Sequence, residues 1–168
     1  MIVLTTERLI LREFELTDAE AMFNLNSDEE VLRYTGDKQF ESIEDANNFF
    51  KNYPDYEKNG FGRWALVTKG DKEVIGWYGL KKHEDNTVDI GYRIFKNQWN
   101  KGYATEASIA CLEYGFQVFE LDEIIANAAT ENKASIRVME KIGMEFQQNM
   151  ACEGIEDAVR YIKKNNLL

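Results

Sequence analysis

The sequence predicts one α/β domain, built on a mixed sheet with helices on both faces. Its 168 residues suffice for one domain with a substantial core, and 44% hydrophobic with 30% charged residues is typical of a globular protein. The predicted order is strand, helices, three strands, helix, strand, helix, two strands. This order is not the regular alternation of a doubly wound fold. Because no repeat or linker interrupts residues 1–168, a single domain is expected.

The first elements are predicted as a strand followed by three helices. Residues 8–13 alternate, with Leu9 and Leu11 on one face of a strand. Thr17 to Glu20 match a capping box, which predicts a helix start at Thr17. Residues 27–30 repeat the capping signal for a short second helix. A third helix is predicted from Ser42, with a buried side formed by Ile43, Ala46, Phe49, Phe50 and Tyr53.

The second half begins with three predicted strands, at 63–68, 73–80 and 87–95. Turn-rich segments at 69–72 and 83–86 connect them, which predicts an antiparallel meander. A helix at 105–119, a strand at 123–128 and a helix at 132–142 follow, the last closed by Gly143. The inward side of the helix at 105–119 is predicted to carry Ala107, Ala110, Cys111, Tyr114 and Val118. Two final strands are predicted at 144–148 and 157–163.

Charge and composition exclude several classes of function. A formal net charge of −10 disfavours nucleic acid, whose binding needs Lys and Arg, and favours cationic small molecules or basic peptides. No apolar run approaches the ~20 residues of a membrane span, and no signal-peptide pattern is present. A cytoplasmic protein without a membrane partner is therefore expected. The two cysteines and the single His83 have no metal-ligand spacing, so neither a metal site nor a disulfide is expected.

The segment from Gln98 to Ala107 carries the strongest chemical signal. It lies between a predicted strand and a predicted helix, where Gly102 lets the backbone approach a ligand closely. The free N–H groups of a helix N-terminus suit an anion such as a pyrophosphate, and Lys101 adds a positive charge. The segment matches neither a Walker loop nor G-x-G-x-x-G. On spacing alone, an ordinary tight turn at Gly102 explains the pattern equally well.

Residues 99–107 closely resemble motif A of the GNAT superfamily of N-acetyltransferases, whose core is Gln/Arg-x-x-Gly-x-Gly/Ala. Gly102 and Ala104 match its last two fixed positions, and Trp99 takes the Gln/Arg position. Residues 132–136 and 140–144 look like motif B, with Met144 replacing the usual aromatic residue. Residues 6–12 and 90–92 are typical of the branch of ribosomal-protein N-terminal acetyltransferases of RimJ/RimL type. The resemblance covers essentially the whole chain, and it implies a mostly antiparallel sheet with one splayed parallel strand pair.

The resemblance also implies the cofactor and its site. Acetyl-CoA would be the cosubstrate, with no metal. The backbone of Tyr92, Arg93 and Ile94 would contact the acetyl and pantetheine end. Asn132 would hydrogen-bond the cofactor arm, although a helix N-cap is an equally good reading of this residue. The pyrophosphate would lie in a cradle formed by Lys101, Gly102, Tyr103, Ala104 and Thr105.

Two residues are candidates for acid–base catalysis. Asp89 matches the acidic position that serves as base in several GNAT enzymes, and burial would raise its pKa toward that task; a surface ion pair is the alternative. Ser135 matches a serine thought to protonate the leaving thiolate in the RimJ/RimL-type branch; a local cap hydroxyl is the alternative. The more common acid of the superfamily is a tyrosine, and its position here is occupied by Met139.

The predicted reaction is direct transfer of the acetyl group to a primary amine in a ternary complex. Backbone N–H groups of the splayed strand would stabilise the oxyanion, and neither cysteine is expected to carry the acetyl group. The acceptor is a protein N-terminus or a small cationic amine, such as a polyamine or an aminoglycoside. A non-catalytic acyl-CoA sensor is the alternative from another class. Some relatives dimerise, so a homodimer stays open.

Overall fold

The computed structural model describes residues 1–152 and 154–165. At its centre is an eight-stranded sheet, and the strands lie in the order β1-β2-β3-β4-β5-β6-β8-β7. Neighbouring strands are antiparallel except β5 and β6, which are parallel. This is the mixed sheet that the sequence and the resemblance predicted. The strands are β1 (Ile2–Thr5), β2 (Leu9–Arg12), β3 (Arg63–Thr68), β4 (Val74–Lys82), β5 (Val88–Ile94), β6 (Glu123–Ala129), β7 (Glu145–Cys152) and β8 (Ile155–Lys164).

Six α-helices among the described residues connect these strands. Four short helices lie between β2 and β3, α5 connects β5 to β6, and α6 connects β6 to β7. None of the helices in the described part of the chain has the length and apolar character needed to cross a membrane. Their bounds are α1 (Ala19–Leu25), α2 (Glu29–Leu32), α3 (Ile43–Lys51), α4 (Asp55–Asn59), α5 (Tyr103–Val118) and α6 (Lys133–Lys141).

The helices cover opposite faces of the sheet. On one face, Tyr78 of β4 contacts Ser108 of α5 and Tyr92 of β5 contacts Ser135 of α6. On the other face, Trp77 packs against a small core of Met22, Leu25 and Val31 from α1 and α2. Side chains of adjacent residues in a strand point to opposite faces. The sheet therefore has an α5–α6 face and an α1–α3 face.

The main core lies between the sheet and α5. Leu9 and Leu11 of β2 are fully buried, as their alternation predicted. Cys111 and Ala107 of α5 are also fully buried. This core joins strands from both halves of the chain. It therefore supports β5 and β6 on the α5–α6 face of the sheet.

Several predicted details were wrong. The sequence reading missed β1 and α4, and α5 begins at Tyr103 instead of residue 105. Ile43 and Phe49 of α3 are 43% and 50% exposed, and Val118 of α5 is 56% exposed. The buried face of α3 and that of α5 are therefore narrower than the apolar stripes in their sequences. Phe49 instead packs edge-on against Phe50, with ring centroids 5.1 Å apart.

The capping box predicted at Thr17 forms two residues earlier, between Glu15 and Asp18, and Asp18 also makes a buried ion pair. The Asp18 carboxylate accepts hydrogen bonds from the backbone N–H of Glu15 at 2.8 Å and from two Arg12 nitrogens at 2.7 and 2.8 Å. Asp18 is 2% exposed. The hydrogen bond with Asp18 raises the pKa of Arg12 against the opposing effect of burial. This pair fixes the start of α1 to β2.

Asp18→Ala is expected to lower the free energy of unfolding by about 3–5 kcal/mol, because it leaves the Arg12 charge without its partner in a buried position. Urea denaturation of the variant and the wild type measures this difference. Glu15→Gln is the matched control. Its carboxylate is 3.8 Å from Arg12 with a 55% exposed side chain, so a change below about 0.5 kcal/mol is expected. Equal losses in the two variants would contradict the role assigned to the buried pair.

Candidate active site

The parallel strands β5 and β6 separate soon after they meet. Asp89 and Ile125 are their registered pair, whereas β5 and β4 stay paired from residue 88 to residue 94. A cavity of about 410 Å³ opens in the gap between β5 and β6, a size suited to a small ligand or part of a larger one. Residues 90–93 of β5 and 125–128 of β6 line it. The splayed parallel pair is the feature that the resemblance implied.

The cavity reaches both faces of the sheet through this gap. Tyr92 and Ser135 line it on the α5–α6 face. Asp89 and Trp77 line it on the α1–α3 face. A molecule entering from one face can therefore meet a molecule entering from the other.

A pair of tyrosines and two serines lie on the α5–α6 side of the gap. The Tyr92 hydroxyl is 3.1 Å from Ser135 Oγ. The Tyr92 ring stacks on Tyr78 with centroids 4.8 Å apart, and the Tyr78 hydroxyl contacts Ser108. Burial raises the pKa of Tyr92, so its phenol keeps its proton at neutral pH. Ser135 thus has a protonated hydroxyl beside it.

Asn132 is the N-cap of α6. Its side-chain oxygen accepts a hydrogen bond from the Ser135 backbone N–H at 3.2 Å. Asn132 also lines the cavity. The N-cap reading is confirmed, and a contact with the cofactor arm stays a prediction. Met139, at the usual position of the superfamily's tyrosine acid, is buried and lines the cavity.

Asp89 lies in a charged cluster on the α1–α3 side. Its Oδ1 accepts a hydrogen bond from Arg63 Nη2 at 2.6 Å, and its Oδ2 is 3.3 Å from His83 Nε2. Burial favours the neutral acid, but the Arg63 charge and the His83 contact outweigh it and hold the pKa of Asp89 below its ordinary value. The expectation of a raised pKa at Asp89 is therefore wrong, because the sequence did not reveal its cationic neighbours.

Arg63 reaches Asp89 across two glycines. Its β-strand neighbours in register are Gly79 of β4 and, beyond it, Gly91 of β5. The Arg63 guanidinium donates a hydrogen bond to the Gly79 carbonyl. A Cβ atom at Gly91 would lie 2.8 Å from Arg63 Nη2. Gly91 therefore leaves the space that the guanidinium needs to reach Asp89.

The predicted anion segment lies at the start of α5 and outside the cavity lining. Gly102 is the N-cap of α5 with φ 82°, a left-handed conformation, and Asn100 has φ 60°. Arg8 donates to the Lys101 carbonyl at 2.9 Å and stacks over Tyr103 at 4.7 Å. The Lys101 ammonium instead donates to Gln98 at 2.8 Å. Ala104 and Thr105 belong to the first turn of α5.

Glu106 ties this segment to the first hairpin. Its carboxylate accepts hydrogen bonds from Thr6 Oγ1 and from the backbone and side chain of Arg8, at 2.6–2.9 Å. Burial opposes ionisation of Glu106, but these hydrogen bonds lower its pKa. Glu106 thus holds Arg8 at the helix N-terminus. Arg8 is a cation of this site that the sequence reading did not single out.

Arg93 and Ile94 are held by contacts with the protein. The Arg93 guanidinium is buried, pairs with Asp37 at 2.5 Å and with Asn26, and lies over the Trp77 ring. The Ile94 carbonyl accepts a hydrogen bond from the Trp99 indole at 2.7 Å. Arg93 lines the cavity and Ile94 does not. Whether their backbone contacts a cofactor stays a prediction.

The two cysteines lie in different surroundings. Cys111 is fully buried in the core, and burial raises its pKa. Cys152, by contrast, lines the cavity. The expectation that neither cysteine carries the acetyl group stays a prediction. Within residues 1–152 and 154–165, no three His, Cys, Asp or Glu side chains come together as a group able to hold a metal ion.

Comparison with known proteins establishes the family. Residues 8–145 match the model of the Acetyltransferase (GNAT) domain. An uncharacterised N-acetyltransferase of Bacillus subtilis, YoaA, is 38% identical over 149 residues, which cover 85% of this chain and 82% of that protein. The chain belongs to the GNAT acetyltransferase family. It is accordingly an N-acetyltransferase, and members of this family use acetyl-CoA.

Solved structures agree with this assignment. A GNAT-family acetyltransferase from Bacillus anthracis superposes with a TM-score of 0.82 at 33% identity, covering 98% of this chain and 99% of that chain. A spermidine N-acetyltransferase from Vibrio cholerae, in complex with CoA and spermine, superposes with a TM-score of 0.79 at 20% identity, covering 94% and 95%. The second likeness shows the shared fold alone.

Proposed function

We propose that the chain transfers the acetyl group of acetyl-CoA to the primary amine of a cationic acceptor, by direct attack in a ternary complex. The observation that carries this proposal is the gap between β5 and β6. It has Ser135 and Tyr92 on one face and Asp89 with its partners on the other. Acetyl transfer to an amine needs a proton donor for the thiolate and a proton acceptor for the amine. The gap provides one of each, on opposite sides.

The residues at the start of α5 suit the pyrophosphate of acetyl-CoA. The left-handed Gly102 opens the helix, and its first turn has N–H groups free of intrahelical partners. Arg8 adds a charge 44% exposed to solvent. The cradle would comprise Lys101, Gly102, Tyr103, Ala104 and Thr105. The thioester arm would extend from there along Tyr92, Arg93 and Ile94 into the gap, with Asn132 beside it.

The residues of the gap would then divide the chemistry. Every second backbone N–H group of β5 beyond residue 89 faces the splayed edge, where it can stabilise the charge developing on the carbonyl oxygen. Ser135 donates a proton to the departing thiolate and recovers it from Tyr92 or water. The acceptor amine loses a proton toward Asp89 and its partners. Because the nucleophile attacks the thioester directly, no cysteine ester forms.

A second cleft supports a cationic acceptor. It has a volume of about 1080 Å³ and shares Tyr34, Asp37, Met150 and Ile155 with the cavity in the gap. Among the described residues that line it are one arginine, Arg33, and four acidic residues, Asp37, Glu131, Glu156 and Asp157. An ammonium group or a basic peptide entering through this cleft would be attracted electrostatically. Protein N-termini and small polycations both fit this charge.

Measurement of CoA release separates these acceptors. We expect transfer with at least one of two panels, peptides with free N-termini or small polyamines and aminoglycosides, and a higher kcat/KM for the more cationic members of the productive panel. Cys152→Ser should keep turnover within about threefold, since direct attack needs no covalent carrier. Binding of acetyl-CoA without transfer to either panel would favour a sensor. A complete loss in Cys152→Ser would contradict direct attack.

A further inference from the structure

We propose that His83 is the general base of the transfer and that Asp89 is its positioning partner. This inference rests on the proposed function and names the residue on the α1–α3 face that accepts the proton of the acceptor amine. The sequence analysis placed His83 in the turn-rich segment at 83–86 and gave it no role. In the structure its side chain is 28% exposed, lines the cavity in the gap and contacts Asp89.

The contacts of Asp89 argue against direct proton transfer to this carboxylate. Its Oδ1 is hydrogen-bonded to Arg63 and its Oδ2 faces His83. Both oxygens are therefore engaged, and each partner stabilises the ionised form. A carboxylate held in this way is a poor proton acceptor for an alkyl ammonium, whose pKa is near ~10. The difference in proton affinity is smaller for an imidazole, whose ordinary pKa is about 6.5.

The orientation of the imidazole leaves one nitrogen for the acceptor. Nε2 is buried and lies 3.3 Å from Asp89 Oδ2, without forming a hydrogen bond. Catalytic hydrogen bonds are often poorly aligned before the substrate binds. With the Nε2 proton directed to Asp89, Nδ1 carries the lone pair, as in an imidazole oriented by a carboxylate.

The charges around His83 set its proton affinity. The close contact with the Asp89 carboxylate of β5 and its negative charge raise the pKa of His83, whereas burial, Lys81 of β4 and Arg63 of β3 lower it. The net effect is a raised pKa. Asp85 of the adjoining turn lines the same cavity and interacts electrostatically with His83 and with Arg160 of β8. Asp89 thus has the largest effect on the imidazole.

The proton balance is complete without another reactant. The acceptor ammonium gives one proton to Nδ1 of His83, and the free amine attacks the thioester carbonyl. The C–S bond breaks as the C–N bond forms, and the second nitrogen proton leaves as the amide is completed. One of the two protons lost by nitrogen ends on the CoA sulfur through Ser135 and the solvent. The other leaves His83 for solvent and restores the neutral imidazole.

Because His83 is the only histidine in the chain, its titration can be followed directly by NMR in a protein without a histidine tag. We expect a pKa above the ordinary ~6.5 in the wild type and a lower pKa in Asp89→Asn. An unchanged pKa in Asp89→Asn would overturn the pairing, whatever the activity of the enzyme.

Kinetics test the base itself. At pH 7 His83→Gln should lower kcat/KM by about 10²-fold, with acetyl-CoA affinity and thermal stability retained. The loss should shrink as the pH approaches ~10, where the acceptor amine is already deprotonated. The exposed neighbour Glu84→Gln is the control and should keep the wild-type pH profile. His83→Asn repeats the test if His83→Gln is unstable.

The outcomes separate this inference from the proposed function. If His83→Gln has the wild-type pH profile and a rate within about threefold of the wild type, His83 is not the base. Asp89 or water then takes the proton. If the wild type transfers acetyl to no amine, the proposed function fails, and the base assignment fails with it. Acetyl transfer by the wild type, together with a kcat/KM of His83→Gln that depends less on pH over the acidic range, supports both the proposed function and the base assignment.

Discussion

Ser135→Ala is expected to lower kcat for acetyl transfer by about 10²-fold, a typical contribution of one positioned proton donor. Acetyl-CoA affinity should change little, because the Asn132 cap of α6 accepts from the Ser135 backbone and survives the substitution. The departing thiolate would then take its proton from water. Steady-state rates together with calorimetric binding of acetyl-CoA measure the two effects separately.

Tyr92→Phe extends this test to the phenol that contacts Ser135. The Tyr92 hydroxyl is 3.1 Å from Ser135 Oγ, so its loss should lower kcat by less than Ser135→Ala does. Ser108→Ala is the matched control, since Ser108 contacts Tyr78 in the same manner but is 1% exposed. Its kcat should remain within about threefold of wild type. A Ser135→Ala enzyme with wild-type kcat would contradict the role of Ser135 as the acid.

Gly102→Glu is expected to weaken acetyl-CoA binding by at least about 100-fold. A side chain at φ 82° is strained by roughly 1–2 kcal/mol. Its Cβ would lie 3.3 Å from Arg8 Nη2, so the new carboxylate could pair with Arg8. It would also place a negative charge at the N-terminus of α5, where the pyrophosphate is proposed to bind.

Gly70→Glu is the control for the added charge. Gly70 is exposed, and a Cβ atom there meets no heavy atom within 4 Å. Its affinity for acetyl-CoA should equal that of the wild type in calorimetric titrations. Thermal melting identifies a Gly102→Glu sample that is folded. Retained affinity in a folded Gly102→Glu protein would mean that the segment at residues 98–107 is only a structural turn.

Local sequence signals predicted most of the secondary structure. The alternation of Leu9 and Leu11, the caps at Ser42 and Asn132 and the glycine at 143 all depend on neighbours in the chain. The exceptions depend on contacts outside the helix. The capping box predicted at Thr17 forms two residues earlier, between Glu15 and Asp18, where Arg12 of β2 also pairs with the Asp18 carboxylate. A short-range pattern cannot reveal such a competing partner.

The candidate site was predictable in part. The positions of Asp89 and Ser135 followed from the family motifs, whereas the charges around Asp89 did not. Arg63 is two strands away from Asp89 and reaches it because Gly79 and Gly91 leave space between them. The hairpin pairing of Lys82 with Val88 could have placed His83 near Asp89. That inference needs the strand register, which the turn-rich segment at 83–86 did not fix.

The most direct test of the account is a crystal structure of the chain with CoA. We predict the pyrophosphate at the start of α5 beside Gly102 and Arg8, with the pantetheine arm between β5 and β6. The CoA sulfur should lie within reach of Ser135 Oγ, at roughly hydrogen-bond distance or through one water. The acceptor side, with Asp89 and His83, should remain accessible. A CoA molecule bound outside the gap, or with its sulfur remote from Ser135, would contradict the proposed transfer through the sheet.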